Sequence, residues 1–387
     1  MSGQPEPSCL FAGVMTGTSL DGIDLGLIRV TAGRAERLDF AQAALPARLR
    51  QIFAELHDPE MPAALLRAAE AGIALAREIS VLVASRRELW KDWGPVQAIG
   101  VHGQTVVHRP ERGVSIQLNA PAWIAEQTGI DVVSDFRSRD IAAGGQGAPL
   151  VPLFHEVMTR LVDEAAVAVV NLGGIANISL IRRQAATSPT QVSGFDTGPA
   201  NMLLDYWAQK TLGRPFDENG QLAMQGRAIP TLVARMAEHP FFAQQAPKST
   251  GRDAFHGPWL EAQLAAHQAQ HGEVSAADVQ ASLVALTAQT ITEAIPTDLR
   301  RIYLCGGGAK NPVLKNALED ALTRRDQPVS LQTSDALGWP VQEVEAAAFA
   351  WLAHCCVAKI PASLPAVTGA KAARVLGSIT PSGAAAS

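Results

Sequence analysis

Residues 17–24 read Gly17, Thr18, Ser19, Leu20, Asp21, Gly22, Ile23, Asp24, a stretch in which donors and carboxylates alternate around two glycines. Unobstructed backbone N–H groups and the Thr18 and Ser19 hydroxyls suit phosphate oxygens, whereas the Asp21 and Asp24 carboxylates suit a hydrated Mg²⁺, most simply through water. Gly, Ser, Thr and Asp are also what ordinary hairpin turns use. Alone, the segment leaves both readings open. Two further glycine turns follow apolar runs, Gly173-Gly174 and Gly306-Gly307-Gly308. Together the three would cradle a di- or triphosphate.

Asp196 stands after the strand-like run Val192 to Phe195 and before a helix through Leu203, Leu204, Tyr206 and Trp207. With Pro199 at the first helical position, Gly198 would be the N-cap, so Asp196 is not needed to cap. It is then a general-base candidate, with a loop-stabilising Asx turn as the alternative. Arg137 and Arg139 lie two apart, before Asp140, which is placed to pair with either of them. A planar guanidinium at a strand end suits a substrate carboxylate, and an exposed ion pair is the competing use. Glu345 opens the Ala-rich helix Val344 to Val357, where a first-turn carboxylate meets the helix dipole. His102 has no second histidine at ligand spacing, which favours a hydrogen-bonding or packing role over a metal.

The elements that position these groups are legible as apolar runs. Leu10 to Met15, Ile23 to Val30, Ala98 to Val101 and Ile130 to Val133 read as strands. In the second of them, beyond Asp24, both faces lack charge until Arg29, which points to a sheet covered on both sides. The spacing of Leu65, Leu66, Ala69, Ile73, Leu75 and Ile79 predicts a covering helix over Pro62 to Leu89. Ala166 to Leu172, Gly173-Gly174 and Asn177 to Ile181 repeat the strand, glycine turn, strand opening roughly 155 residues on, as an internal duplication would. Ile302 to Cys305 then leads through the three glycines into a helix at Leu314, Leu318 and Leu322. The expectation is an α/β protein of two actin-like (ribonuclease H-like) domains, with mixed sheets flanked by helices and nucleotide and sugar in a cleft between them. The N-terminal domain is set at 1–150 with part of the tail, about 362–387, and the C-terminal domain at 151–361.

Composition excludes several classes. Lys and Arg number 32 against 37 Asp and Glu, a formal charge of −5, so no broad basic field exists to hold nucleic acid or an anionic membrane. At 47% hydrophobic and 18% charged, the chain has material for large cores and is not dominantly disordered. Cys9, Cys305, Cys355 and Cys356 have no metal-ligand spacing and read as reduced, mostly buried thiols of a cytoplasmic protein. Met1 to Ala12 lacks a basic and apolar leader, and the apolar run Ala346 to Ala358 is shorter than the ~18 residues that span a bilayer. Walker and Rossmann fingerprints, a nucleophile elbow and zinc-protease or paired C-x-x-C motifs are all missing from the sequence.

The sequence resembles the anhydro-N-acetylmuramic acid kinases of bacterial peptidoglycan recycling. The resemblance is carried by residues 13–24, His102-Gly103-Gln104-Thr105, Asp135 through Asp140, 142–152, 171–177, Gly194 through Asn201, 247–252, Cys305 through Gly308 and Glu345 through Trp351. It implies ATP-dependent conversion of 1,6-anhydro-N-acetylmuramic acid and water into N-acetylmuramic acid 6-phosphate and ADP, with ATP and Mg²⁺ as cofactors and a small sugar as the partner. Asp196 is then the base that activates water, the 17–24 turn is the ATP segment, and Glu345 and Arg139 are sugar contacts. Arg137, His102 and Gln104, gathered at strand ends, are counted with these contacts. No role attaches to Lys248-Ser249-Thr250, and a homodimer is left open. The alternative is another hexose or amino-sugar kinase of the same fold that consumes no water. A chaperone-type or regulatory ATPase would need an appendage for which no span of chain is left over.

Overall fold

A computed structural model describes residues 8–17, 20, 22–56, 62–183, 190–251, 254–325 and 327–383. The chain divides into two compact units, one formed by residues up to Met158 together with those from Glu343 onward, the other by Thr159–Gln342.

In the first unit, strands β1 (Cys9–Met15), β2 (Gly22–Thr31), β3 (Arg34–Ala44), β4 (Val96–Val101) and β5 (Asp131–Ser134) form a sheet in the order β5-β4-β1-β2-β3, and Ser378–Thr380 extends it beyond β5. β1, β2 and β3 are antiparallel neighbours, while β4 lies parallel to β1 and β5 parallel to β4. The second unit repeats this plan with β6 (Ala166–Leu172), β7 (Ile175–Arg182), β8 (Gln191–Pro199), β9 (Arg301–Cys305) and β10 (Ser330–Thr333), in the order β8-β7-β6-β9-β10. Its pair directions are the same. This order and polarity, a meander joined to two parallel strands, is the ribonuclease H-like topology of actin-like domains.

Strand periodicity explains how the first sheet is covered. Leu10, Ala12 and Val14 of β1 share a buried cluster with Ile23, Leu25 and Leu27 of β2 and with Leu75, Ile79 and Val83 of the helix Ala64–Lys91. The helix occupies the expected span, but its first turns do not pack as its spacing predicts, since Leu65 and Leu66 are 88% and 61% exposed. The opposite face carries Gly13 and Gly100. A Cβ on Gly13 would lie 2.0 Å from Ala346 O and 2.3 Å from Ala350 N, and one on Gly100 would lie 2.1 Å from Phe349 O. The helix Val344–Val357 therefore rests its own backbone on the sheet through alanines. This corrects the expected domain boundary at 361/362: residues 343–361 were assigned to the second domain, and the helix among them packs on the first sheet.

β3 was not anticipated, because it carries four charges and buries only one of its residues, as edge strands tend to. Its one buried side chain, Asp39, accepts hydrogen bonds from Arg86 (2.8 and 2.7 Å) and from Trp90 Nε1 (2.8 Å), which fastens the long helix to the sheet edge. Burial pushes the Asp39 carboxyl up, yet the Arg86 and Trp90 hydrogen bonds outweigh it and hold the group below its ordinary value. A depressed folded-state pKa contributes stability that is present above the unfolded pKa and lost as pH falls through the folded one. Asp39→Asn is thus expected to cost about 1–3 kcal/mol at neutral pH, with the gap from wild type closing below about pH 4. Urea melts at the two pH values check this, and a gap independent of pH would contradict it.

In the second unit Val167–Val170 of β6 are fully buried, and Ala168 and Val170 share a core cluster with Leu283, Leu286 and Ile291 of the helix Ala276–Ala294. Cys305, Cys355 and Cys356 are buried free thiols, and Cys9 is half-buried. Among the described residues no helix is long and apolar enough to cross a membrane.

Candidate active site

In sheets with parallel strands, ligands bind beyond the carboxyl ends of those strands. In the first unit β1 and β4 are such a pair, with Val14 opposite Val101, and the chain beyond them brings Thr16, His102 and Gln104 to one end of the sheet. All three side chains are buried. His102 N–H donates to Val14 O (3.1 Å), and its Nε2 accepts from Arg137 Nη2 at 2.8 Å. Burial first, and the Arg137 charge second, push the imidazole down to about 3. The ring is neutral, with its proton on Nδ1 because Nε2 is accepting. Thr16 Oγ1 and Gln104 Oε1 are buried without a hydrogen-bond partner. Such groups cost about 1–3 kcal/mol each unless something pairs with them.

Arg137 does not behave as a guanidinium aimed only at a substrate, since Nη1 donates to Gly147 O (2.6 Å) while Nη2 holds His102. Arg139 is exposed on the short helix Ser138–Ala142. Asp140, expected to pair with one of these arginines, instead is fully buried and accepts from Gly147 N–H (2.8 Å) and Thr368 Oγ1 (2.8 Å). It ties its loop to the C-terminal segment. Glu345 is half-buried in the first turn of Val344–Val357. Beside it Glu343, which drew no notice in the sequence, forms a two-pronged ion pair with Arg37 of β3 and anchors the start of that helix.

Of the 17–24 segment, Thr18, Ser19 and Asp21 lie outside the described residues. Gly17 O accepts from Leu20 N–H (3.2 Å), and Leu20 is held at φ 59°, a left-handed conformation costing a non-glycine residue roughly 1 kcal/mol or more. Gly22, Ile23 and Asp24 belong to β2 and not to the turn; the Ile23 side chain is in the core, which leaves only its backbone for a ligand. Asp24 Oδ1 accepts from Gln42 Nε2 of β3 (2.7 Å). Among the described residues no group of three or more His, Cys, Asp or Glu could hold a metal ion.

In the second unit the corresponding ends of β6 and β9 lie side by side, with Asn171 opposite Cys305. The Gly174 carbonyl accepts from Ala200 and Met202 N–H (2.9 and 3.1 Å) and the Gly173 carbonyl from Asn201 N–H (3.1 Å), so this turn caps the helix Asn201–Leu212. Gly306, at φ 80°, leaves no room for a Cβ, which would lie 2.3 Å from Asn171 Oδ1, whereas a Cβ on Gly307 would meet nothing within 4 Å. Gly308 packs on Leu172 and Asn201. The glycine turns thus lock against each other and leave Gly307 open.

Asp196 lies on β8 and is 8% exposed. Its N–H donates to Lys248 O (3.1 Å), and its Oδ2 accepts from Thr250 N–H (2.9 Å). The register shifts immediately after it, where Asp196 faces Asn177 and Gly198 faces Ala176, a bulge of the kind that re-aims side chains near active sites. Gly198 has φ 143°, and a Cβ there would lie 2.7 Å from Phe242 Cε1. The helix starts later than expected: Ala200 is the N-cap, and Pro199 closes the strand. Sequence reasoning gave the 248–250 segment no role because its bonds to Asp196 run through its backbone groups, which leave no spacing signal.

A family profile described as "Anhydro-N-acetylmuramic acid kinase" matches residues 9–382. A protein of that name from Paraburkholderia xenovorans is 48% identical over 383 residues, covering 96% of this chain and 98% of that one. Another from Bordetella pertussis is 49% identical over 384 residues, covering 97% of each. A third, from Burkholderia mallei, is 44% identical over 394 residues, covering 98% of this chain and 99% of its own length.

Proposed function

Because the chain belongs to the anhydro-N-acetylmuramic acid kinase family, we propose that it phosphorylates 1,6-anhydro-N-acetylmuramic acid with Asp196 as the general base of a reaction that also opens the anhydro ring. Asp196 takes a proton from water as the water oxygen bonds to C1. The C1–O6 bond breaks, O6 bonds to the γ-phosphorus of ATP, and ADP leaves. The products are N-acetylmuramic acid 6-phosphate and ADP. Phosphoryl transfer asks little covalent work of a protein, so positioning and charge stabilisation supply the rest.

The observation that carries this reading is the placement of Asp196: a buried carboxylate at a strand bulge, held by backbone bonds on both its main chain and its side chain. The backbone of the 17–24 segment and of Gly173, Gly174, Gly306, Gly307 and Gly308 is assigned to the nucleotide; the Gly306 N–H itself is taken by Val341 O (2.8 Å), and Gly307 is the most open of these. MgATP is the substrate form. Asp24 offers one carboxylate, which suits an ion that keeps phosphate oxygens and waters as its ligands, and Asp21 is assigned the same outer role. Thr16 and Gln104, whose buried oxygens lack partners, suit the uncharged hydroxyl and amide groups of an amino sugar, and neutral His102 suits them too. Arg139 and Glu345 complete the sugar contacts.

Offered separately with MgATP, the anhydro sugar should be turned over at least about 10²-fold faster than N-acetylmuramic acid itself, since only the former supplies a strained leaving oxygen. Equal rates would favour a kinase that consumes no water. Arg139→Ala should raise KM for the sugar about tenfold and leave that for ATP within twofold, because the substrate carboxylate loses a cation. A change confined to ATP would remove Arg139 from the sugar site.

A further inference from the structure

Lys248 has no part in the reaction just described, yet its whole side chain is committed. Nζ donates to the carbonyls of Phe241 (3.2 Å) and Phe242 (3.3 Å), and the ammonium sits 4.6 Å from the Phe241 ring centre and 5.9 Å from that of Phe195, the residue before Asp196. The same Lys248 accepts the Asp196 N–H through its backbone carbonyl, and two residues on Thr250 N–H reaches Asp196 Oδ2. Phe242 in turn fills the space beside Gly198 at the bulge. Turn, lysine and bulge form a closed circuit around one carboxylate.

We propose that Lys248 is a positioning residue: by clamping its own segment onto the Phe241–Phe242 turn, it sets the height of the Thr250 N–H and so the orientation of the Asp196 carboxylate. The inference rests on the reading of Asp196 as the base. Two carbonyl acceptors and an aromatic face fix the ammonium in one place, and a misplacement of about 1 Å at a reacting group costs on the order of 10²-fold in rate. Burial holds the lysine's pKa below its ordinary value, against the opposing pull of the Asp196 carboxylate, so the two side chains feel each other's charge.

The test is steady-state kinetics of Lys248→Met, which keeps an apolar stem over the rings and removes the donors, with calorimetric binding of sugar and nucleotide to establish that the site is folded. We expect kcat to fall about 10–100-fold with both KM values within about twofold. Introduced into Asp196→Asn, the same change should alter the residual rate less than twofold, because Lys248 acts through the carboxylate. If the methionine variant does not fold, Lys248→Gln is judged by the same criteria. A kcat within twofold of wild type, a loss confined to KM, or full multiplicative effects in the double variant would overturn the inference. Failure of the underlying reading is separate: Asp196→Asn alone would then remain active.

Discussion

Replacing Asp196 by asparagine is expected to leave a folded protein that binds MgATP and sugar normally and turns over about 10³–10⁴-fold more slowly, a loss of roughly 4–5.5 kcal/mol of transition-state stabilisation. Asparagine has the same shape and keeps an oxygen to accept the Thr250 N–H, so the 2.9 Å contact and the buried packing survive. What disappears is the basic lone pair. Because the interaction lost exists only as the water gives up its proton, the effect falls on kcat and kcat/KM alike and not on binding. Rates together with calorimetric affinities for both substrates check it. A variant within tenfold of wild type would show that another group activates the water.

The largest stability effect is expected at the glycines beneath the helix Val344–Val357. Gly100→Ala places a methyl group where Phe349 O stands 2.1 Å away, and Gly13→Ala meets Ala346 O at 2.0 Å. Neither neighbour is a side chain that can swing aside; the helix itself must lift from β1 and β4, with Ala346, Phe349 and Ala350 losing their contacts. Each substitution should cost about 3 kcal/mol or more, at the upper end of overpacking penalties. Urea unfolding measures it. A cost below about 1 kcal/mol would mean the helix can slide freely on the sheet. Because Glu345 rides on this helix and Thr16 follows β1, a tolerated but shifted helix should also raise KM for the sugar.

Sequence periodicity exposed the parts of the fold in which a strand is covered on both faces. β1, β2, β4, β6 and β9 contain the apolar runs 10–15, 25–28, 98–101, 166–170 and 302–305, and the repeated glycine turn announced the duplication that the two sheets display. β3 and the hairpin of Gln104–Arg109 with Val114–Leu118 stayed hidden because their residues are largely polar or half-exposed, so no burial pattern marks them. The span of Val344–Val357 was readable to the residue, but its allegiance to the first unit was not: that depends on glycines far along the chain, and a missing side chain gives no local sign of what rests on it.

The site divides in the same way. Asp196, His102 and Arg137 could be singled out by residue type and by their places at strand ends. That Arg137 turns inward to His102 and Gly147, that Asp140 goes to Gly147 and Thr368, and that Lys248 and Thr250 gather at Asp196 are all contacts made through backbone atoms or across long separations. Chemistry is legible in residue types, whereas orientation is settled by tertiary packing.

The claim on which the account turns is that Asp196 activates the attacking water. A single turnover of the 1,6-anhydro sugar and ATP in H₂¹⁸O, quenched within seconds and corrected for exchange into preformed product, reads that event directly by mass spectrometry. Wild type should place one ¹⁸O on C1 of the sugar for each ADP released and none in the phosphoryl group, while Asp196→Asn should accumulate neither labelled sugar nor ADP on that timescale. Labelled sugar appearing from Asp196→Asn at the wild-type rate, or label entering the phosphate, would contradict it.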